Sequence, residues 1–250
     1  KEVLTNCFNT SLLFADLNNN KLNFKTFYTY DDCLSFKYQE EFNAQQSGGR
    51  ITRYKDSILL TIGEYRSRTL AQDLESNFGK IIKININDSK KNEIFSMGHR
   101  NPQGLLFNIE SDIIISTEHG PLGGDEINLI KKNKNYGWPI SSYGNHYNGK
   151  FRKDAPLHKS HKKYNFEEPL FHFDLSFGPV GISEIINVNK DIENLNTFYF
   201  ASSLAGKSLF LMKINKEQTT LKNVERIKIG ERIRDIIYNK ELCIIETINE

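Results

Sequence analysis

The feature that most restricts this chain is a recurrence of short β-branched and aromatic runs, separated by clusters of Gly, Asn, Asp and Lys, with no stretch keeping a helical period. The runs are SLLFADL (11–17), KLNFKTFY (21–28), GRITRY (49–54), SILLTIG (57–63), KIIKINI (80–86), NEIFSM (92–97), GLLFNI (104–109) and DIIIST (112–117). The second half repeats the habit with GISEIINV (181–188), TFYFASS (197–203), SLFLMKI (208–214), ERIKIG (225–230), RDIIYN (234–239) and LCIIET (242–247). Two sets fall into groups of four, 49–97 and 181–230, the spacing of antiparallel propeller blades. Radial repetition leaves only short sheet edges exposed. The reading is therefore all-β, a β-propeller of four-stranded antiparallel blades over residues 1–250 as one domain, with a β-sandwich as the alternative.

Composition narrows the function classes. At 38% hydrophobic and 26% charged residues, with a mean hydropathy of -0.53, the chain reads as globular, and no apolar run is long enough to span a bilayer. A formal net charge of +2 is too small to gather phosphate backbones, so nucleic acid is not an expected partner, and Lys131, Lys132 and Lys134 read as a solvated loop. Cys7, Cys33 and Cys243 are too few and too scattered for a metal cluster or a disulfide framework. The opening KEVLTNCFNT carries no leader signature and lies within a strand-rich region, which suggests a propeller lacking its N-terminal part.

Between Glu118 and Pro179 the strand pattern gives way to a long polar and aromatic segment, the kind of loop that carries function. It begins within an informative stretch. Gly98-His99-Arg100-Asn101-Pro102-Gln103-Gly104-Leu105 is followed by Glu118-His119-Gly120-Pro121, Asp125-Glu126-Ile127-Asn128-Leu129 and Asn135-Tyr136-Gly137-Trp138-Pro139. In this order and spacing the blocks resemble the signature of the glucose/sorbosone dehydrogenase family. The likeness extends upstream through Gly48-Gly49-Arg50, Thr61-Ile62-Gly63-Glu64 and Ala71-Gln72-Asp73-Leu74, and downstream through Arg232-Ile233-Arg234-Asp235. It implies a six-bladed propeller that binds pyrroloquinoline quinone (PQQ) and calcium, oxidises the C1 hydroxyl of aldose sugars, and is periplasmic or secreted. This chain holds strands for about four to five blades, an incomplete ring.

The residue chemistry is compatible with that implication. PQQ is a planar ortho-quinone with three carboxylates, which calls for fixed, forked guanidinium donors. Arg232 and Arg234 match the family's cofactor-binding pair; separated by Ile233 on a strand, they share a face. Read without the resemblance, they are a surface strand pairing with Asp235 or Glu231. Arg100, Asn101 and Gln103 match positions at the quinone and sugar, where amide and guanidinium donors stabilise charge built up on reduction. Pro102 holds Asn101 in extended conformations; RNP alone could be an ordinary turn. The carbonyls of Gly120 and Pro121 match the holders of the cofactor's calcium, and Glu126 with the main-chain oxygen of Tyr136 matches a second, bracing calcium site. As plain residues, Asp125 and Glu126 are solvated acids. Tyr147 matches a position near the cofactor, Trp138 reads as core packing, and His158 and His161 read as loop residues.

Two departures stand out. The family's general-base histidine, which takes the sugar hydroxyl proton, is here Gln46, whose amide has no useful pKa near neutrality. The cofactor-binding lysine falls at Ala205, with Lys207 two residues on and on the same face if that stretch is a strand. Glu64 matches the acid that supports the histidine and is the candidate replacement base. Two functions follow: a PQQ-dependent sugar dehydrogenase with an altered base, or a catalytically silent propeller that binds a sugar, PQQ or another partner. Sequence does not assign the oligomeric state.

Overall fold

The computed structural model describes residues 7–18, 21–35, 41–174, 182–191, 196–215, 220–238 and 243–248. The opening residues 1–6 and the expected loop boundary at Pro179 lie outside them. The chain starts with β1 (Leu12–Phe14), a small hairpin of β2 (Leu17–Asn18) and β3 (Lys21–Leu22), and β4 (Lys25–Tyr28), which pairs with β1. Strands β5 (Gly48–Tyr54), β6 (Ser57–Ile62), β7 (Lys80–Asn85) and β8 (Asn92–Met97) then form an antiparallel meander. A second sheet holds β9 (Pro102–Asn108), β10 (Ile113–Glu118) and β11 (Asp125–Ile130); β12 (Lys134–Asn135) crosses back to lie parallel to β8, and β13 (Phe171–Phe173) completes the second sheet beside β11. A third comprises β14 (Ile182–Asp191), β15 (Asn196–Ser203), β16 (Ser208–Ile214) and β17 (Leu221–Lys228), and β18 (Arg232–Tyr238) pairs with β19 (Cys243–Ile248).

This is the propeller architecture the runs foretold, with the two groups at 49–97 and 181–230 in place. The first strands β5, β9, β14 and β18 neighbour one another in succession, so each sheet turns its leading strand to a shared axis. The segment after Glu118 is less of a loop than expected, since β11 and β13 lie within it. No helix among the described residues is long and apolar enough to cross a membrane.

Alternation within a strand explains the packing. Successive side chains point to opposite faces, and here both faces are buried. Leu59 and Ile81 pack with Leu105 and Ile114 between the first two blades, whereas their neighbours Leu60 and Ile82 face Tyr28 and Leu34 of the N-terminal part. Ile114 and Ile115 likewise divide between the core shared with the first blade and the core of Phe173, Tyr199 and Phe210 shared with the third. Each buried aliphatic side chain contributes about 1.5–3 kcal/mol.

One expectation needs correction: Cys7 and Cys33 form a disulfide, their Cα atoms 5.5 Å apart. The neighbouring Phe8 and Leu34 exchange backbone hydrogen bonds of 2.8 and 2.9 Å, and this bridge brings the two cysteines together across a gap in sequence that spacing alone did not close.

Candidate functional site

Beside the central cavity, a tight crossing joins three segments, at residues 43–46, 64–65 and 100. Backbone bonds run from Tyr65 N to Gln46 O (3.0 Å), from Asn43 N to Tyr65 O (3.0 Å) and from Glu64 N to Arg100 O (2.9 Å). Gly63 permits this approach, because a Cβ there would collide with the Gln46 carbonyl. The following residues, Tyr65 and Arg66, both adopt left-handed backbone, φ 53° and 66°, conformations that non-glycine residues rarely adopt and that cluster at functional sites.

The crossing fixes a buried polar cluster. With its amide oriented to satisfy its neighbours, Gln46 donates to Glu64 Oε1 (2.7 Å) and its side-chain oxygen accepts from Arg66 Nε (3.2 Å) and Arg100 Nη2 (3.0 Å). Glu64 is fully buried, and desolvation pushes its carboxyl up to about 7 despite the nearby arginines. Burial also lowers the pKa of the Arg100 guanidinium, which lies 5.3 Å from the Trp138 ring centroid and donates to His119 O (2.8 Å). The backbone of Arg100 is held from behind: Glu118 accepts from its N–H and also bonds His99 Nδ1 (2.9 Å), while His99 Nε2 meets Ser96 Oγ (2.8 Å). Trp138 packs with Ala71, Ala155 and Leu157.

These groups border a cavity of about 530 Å³ lined by Gln46, Arg66, Arg100, Asn101, Gln103, Gly120, Pro121, Asp125, Tyr147, Arg232 and Arg234, among others. Its size suits a cofactor-sized ligand. Arg100, Gly120 and Arg234, distant in sequence, thus share one wall. Asn101 commits its oxygen to Gly48 N (3.1 Å) and Gln103 Nε2 (2.9 Å), which leaves its amide nitrogen as the group available to a ligand. Gln103 in turn accepts from Arg234 Nη1 (3.4 Å), and Ile233 between the two arginines is fully buried, so Arg232 and Arg234 do share the cavity face of β18. Tyr147 stands on the rim, 68% exposed.

A much smaller cavity, about 10 Å³, lies beside Glu118, Glu126, Tyr136 and Trp138, with room for about one water-sized particle. Glu126 is buried there and held well above the usual carboxylate range by desolvation and by Glu118. Gly120 donates its N–H to Asp125 Oδ1 (3.0 Å), and Pro121 O accepts from Gly124 N (3.0 Å), which fixes the turn carrying the candidate calcium carbonyls. Among the described residues no three His, Cys, Asp or Glu side chains converge as metal ligands.

Two placements differ from the sequence reading, and a third adds burial to it. Lys207 sits in the turn after β15 with φ 47°, exposed and off the cavity wall, so the two-residue strand argument does not apply; Ala205 is on the wall. Glu64 is not on the wall either, because Gln46 stands in front of it. His161 is a loop residue as read, but a buried one, packed between Glu126 and Glu168. Sequence reasoning missed Arg66, whose inward direction depends on the left-handed turn, and the His99–Glu118 support, although both of those residues lay within the quoted blocks.

Comparison with known proteins places these observations. A family model described as Glucose / Sorbosone dehydrogenase matches residues 9–247. The chain is similar to the aldose sugar dehydrogenase YliI of Escherichia coli strain K12, 33% identical over 202 residues that cover 76% of this chain and 53% of that protein. It is also similar to quinoprotein glucose dehydrogenase B of Acinetobacter calcoaceticus, 42% identical over 123 residues, 38% of this chain and 26% of that one. Among solved structures, the soluble aldose sugar dehydrogenase of Escherichia coli in its apo form superposes with a TM-score of 0.74 at 28% identity, covering 96% of this chain and 70% of that chain. The chain spans about half the length of YliI.

Proposed function

The chain belongs to the glucose/sorbosone dehydrogenase family, and from that premise we propose that its central cavity binds PQQ and calcium and that it oxidises the C1 hydroxyl of aldose sugars. The observation that carries this reading is convergence: residues from β9, the turn after β10 and β18 line one cavity whose wall bears Arg66, Arg100, Arg232 and Arg234 against one carboxylate, Asp125. A polycarboxylate ligand suits forked guanidinium donors brought to one wall. Arg232 and Arg234 would hold its carboxylates, Asn101 and Gln103 would offer amide donors, and Tyr147 would close the rim; Lys207 would have to reach in from its turn. The carbonyls of Gly120 and Pro121 and the buried Glu126, with the main-chain oxygen of Tyr136, are oxygen donors of the kind calcium accepts. The Cys7–Cys33 disulfide supports a periplasmic or secreted location.

When bound, PQQ supplies a two-electron acceptor for the hydride leaving C1. The hydroxyl proton needs a separate acceptor. Gln46 cannot take it, and Glu64, though its pKa of about 7 suits a base, is separated from the cavity by Gln46. In the proposed reaction the proton therefore leaves to solvent while Arg100 and Asn101 orient the reacting groups. The test is reconstitution with PQQ and calcium, followed by cofactor absorbance and by dye reduction with a panel of aldoses. Saturable binding with sugar-dependent dye reduction is expected; no cofactor-dependent spectral change would overturn the reading.

A further inference from the structure

The cavity has a guanidinium beyond those the cofactor would employ. Arg100, Arg232 and Arg234 stand at cofactor positions, whereas Arg66 matches none of them: beside Arg100, its Nε donates to the side-chain oxygen of Gln46, the residue at the base position. Among the described residues no carboxylate lies within ion-pair distance of Arg66, whereas its neighbours are matched: Arg68 by Glu41, and Arg152 by Glu41 and Asp154. Arg66 lines the central cavity and also an adjoining one of about 370 Å³ that those balanced residues border. Its direction comes from two consecutive left-handed residues, and such backbone persists where the surroundings enforce it.

From this arrangement we propose that the substrate is an anionic sugar, an aldose bearing a carboxylate or a phosphate, with Arg66 as the residue that recognises its charge. The inference rests on the sugar-oxidising reading and specifies its substrate class. With cofactor carboxylates held by Arg232 and Arg234 and Arg100 at the reacting groups, a neutral sugar at Gln46 would bring no charge to the Arg66 guanidinium, whereas an anionic substituent gives it a forked, charge-assisted contact.

The test is a binding titration on PQQ- and calcium-loaded protein with glucose, glucuronate and glucose 6-phosphate, read by the fluorescence of Trp138, the only tryptophan of the chain, which packs beneath Arg100. At least one anionic sugar is expected to bind on the order of tenfold tighter than glucose, with the advantage shrinking as salt rises. Arg66→Gln should bring that ratio close to one, and Arg66→Lys should retain part of it. The stronger of the two anionic arms identifies the group as carboxylate or phosphate. Equal or tighter binding of glucose, or an undiminished preference in a folded Arg66→Gln protein, would overturn the proposal, as would displacement of PQQ by the anionic sugars. Failure to take up PQQ is read separately by quinone absorbance and counts against the sugar-oxidising reading; the same titrations on cofactor-free protein then still decide the role of Arg66.

Discussion

At the scale of single residues, the chemistry turns on Gln46 and the acid behind it. A cavity without a protein base at the sugar hydroxyl makes oxidation depend on hydroxide, so kcat/KM of the reconstituted protein should rise steadily between pH 6 and 9 rather than reach a plateau. Gln46→His should raise the neutral-pH rate by roughly 10²- to 10⁴-fold. In that variant the rate should fall as pH drops and the imidazole protonates; Arg66 and Arg100, now 3.2 and 3.0 Å from the Gln46 oxygen, would push its pKa down, and Glu64 would oppose them. A pH–rate profile for both proteins decides between these shapes. Glu64 itself predicts a stability effect. Its folded-state pKa, about 7, lies above the ordinary carboxylate value, so the folded protein keeps a proton that the unfolded chain loses as pH rises through about 4.5. Stability should therefore decline between about pH 4.5 and 7 and level off above, a loss of about 3 kcal/mol from this group. Denaturant unfolding of Glu64→Gln should lack that decline.

Elements hold these residues in place, and the short 3-10 helix Arg68–Gln72 shows how. Lys80, buried on β7, donates from Nζ to Leu70 O (2.8 Å), Ala71 O (3.2 Å) and Phe78 O (2.8 Å), clasping the helix to the blade. Lys80→Met keeps the bulk and removes the donors, and should cost on the order of 3 kcal/mol, measured as a lower denaturation midpoint. Strands of this blade were legible in sequence because their runs are apolar and bounded by turn residues. Strand β11 was not: Asp125, Glu126 and Asn128 are buried where a strand ordinarily buries apolar groups, so the polar residues of the site hid the pattern of the element that carries them. Most of the cavity wall was legible in the motif blocks. The Arg66 contact was not, because no spacing rule reports that two successive residues turn left-handed. For Lys207 the complementary reason holds: it lies in the turn between the two runs 197–203 and 208–214, so the strand condition on its same-face argument is not met.

For the molecule as a whole, the cavity is where separate sheets are tied together. Arg50 of β5 donates to Gln103 O of β9 (3.0 Å) and pairs with Asp235 of β18 (3.2 Å), a contact that is partly exposed and so contributes little by itself. A cofactor spanning β9, the turn after β10 and β18 would add contacts that exist only when these sheets are assembled. Ligand bound to the folded state alone stabilises by about 2.7 kcal/mol at a hundredfold excess over Kd. For a chain of this length that corresponds to a rise in Tm of about 5–10 °C with PQQ and calcium. The rise should grow with the logarithm of PQQ concentration, and it should fall sharply in Arg234→Ala, which removes a guanidinium from the wall and leaves Gln103 without that donor. A Tm independent of PQQ in the parent protein, or an undiminished rise in Arg234→Ala, would place the cofactor elsewhere, because this linkage arises only if one ligand holds the sheets at the site described.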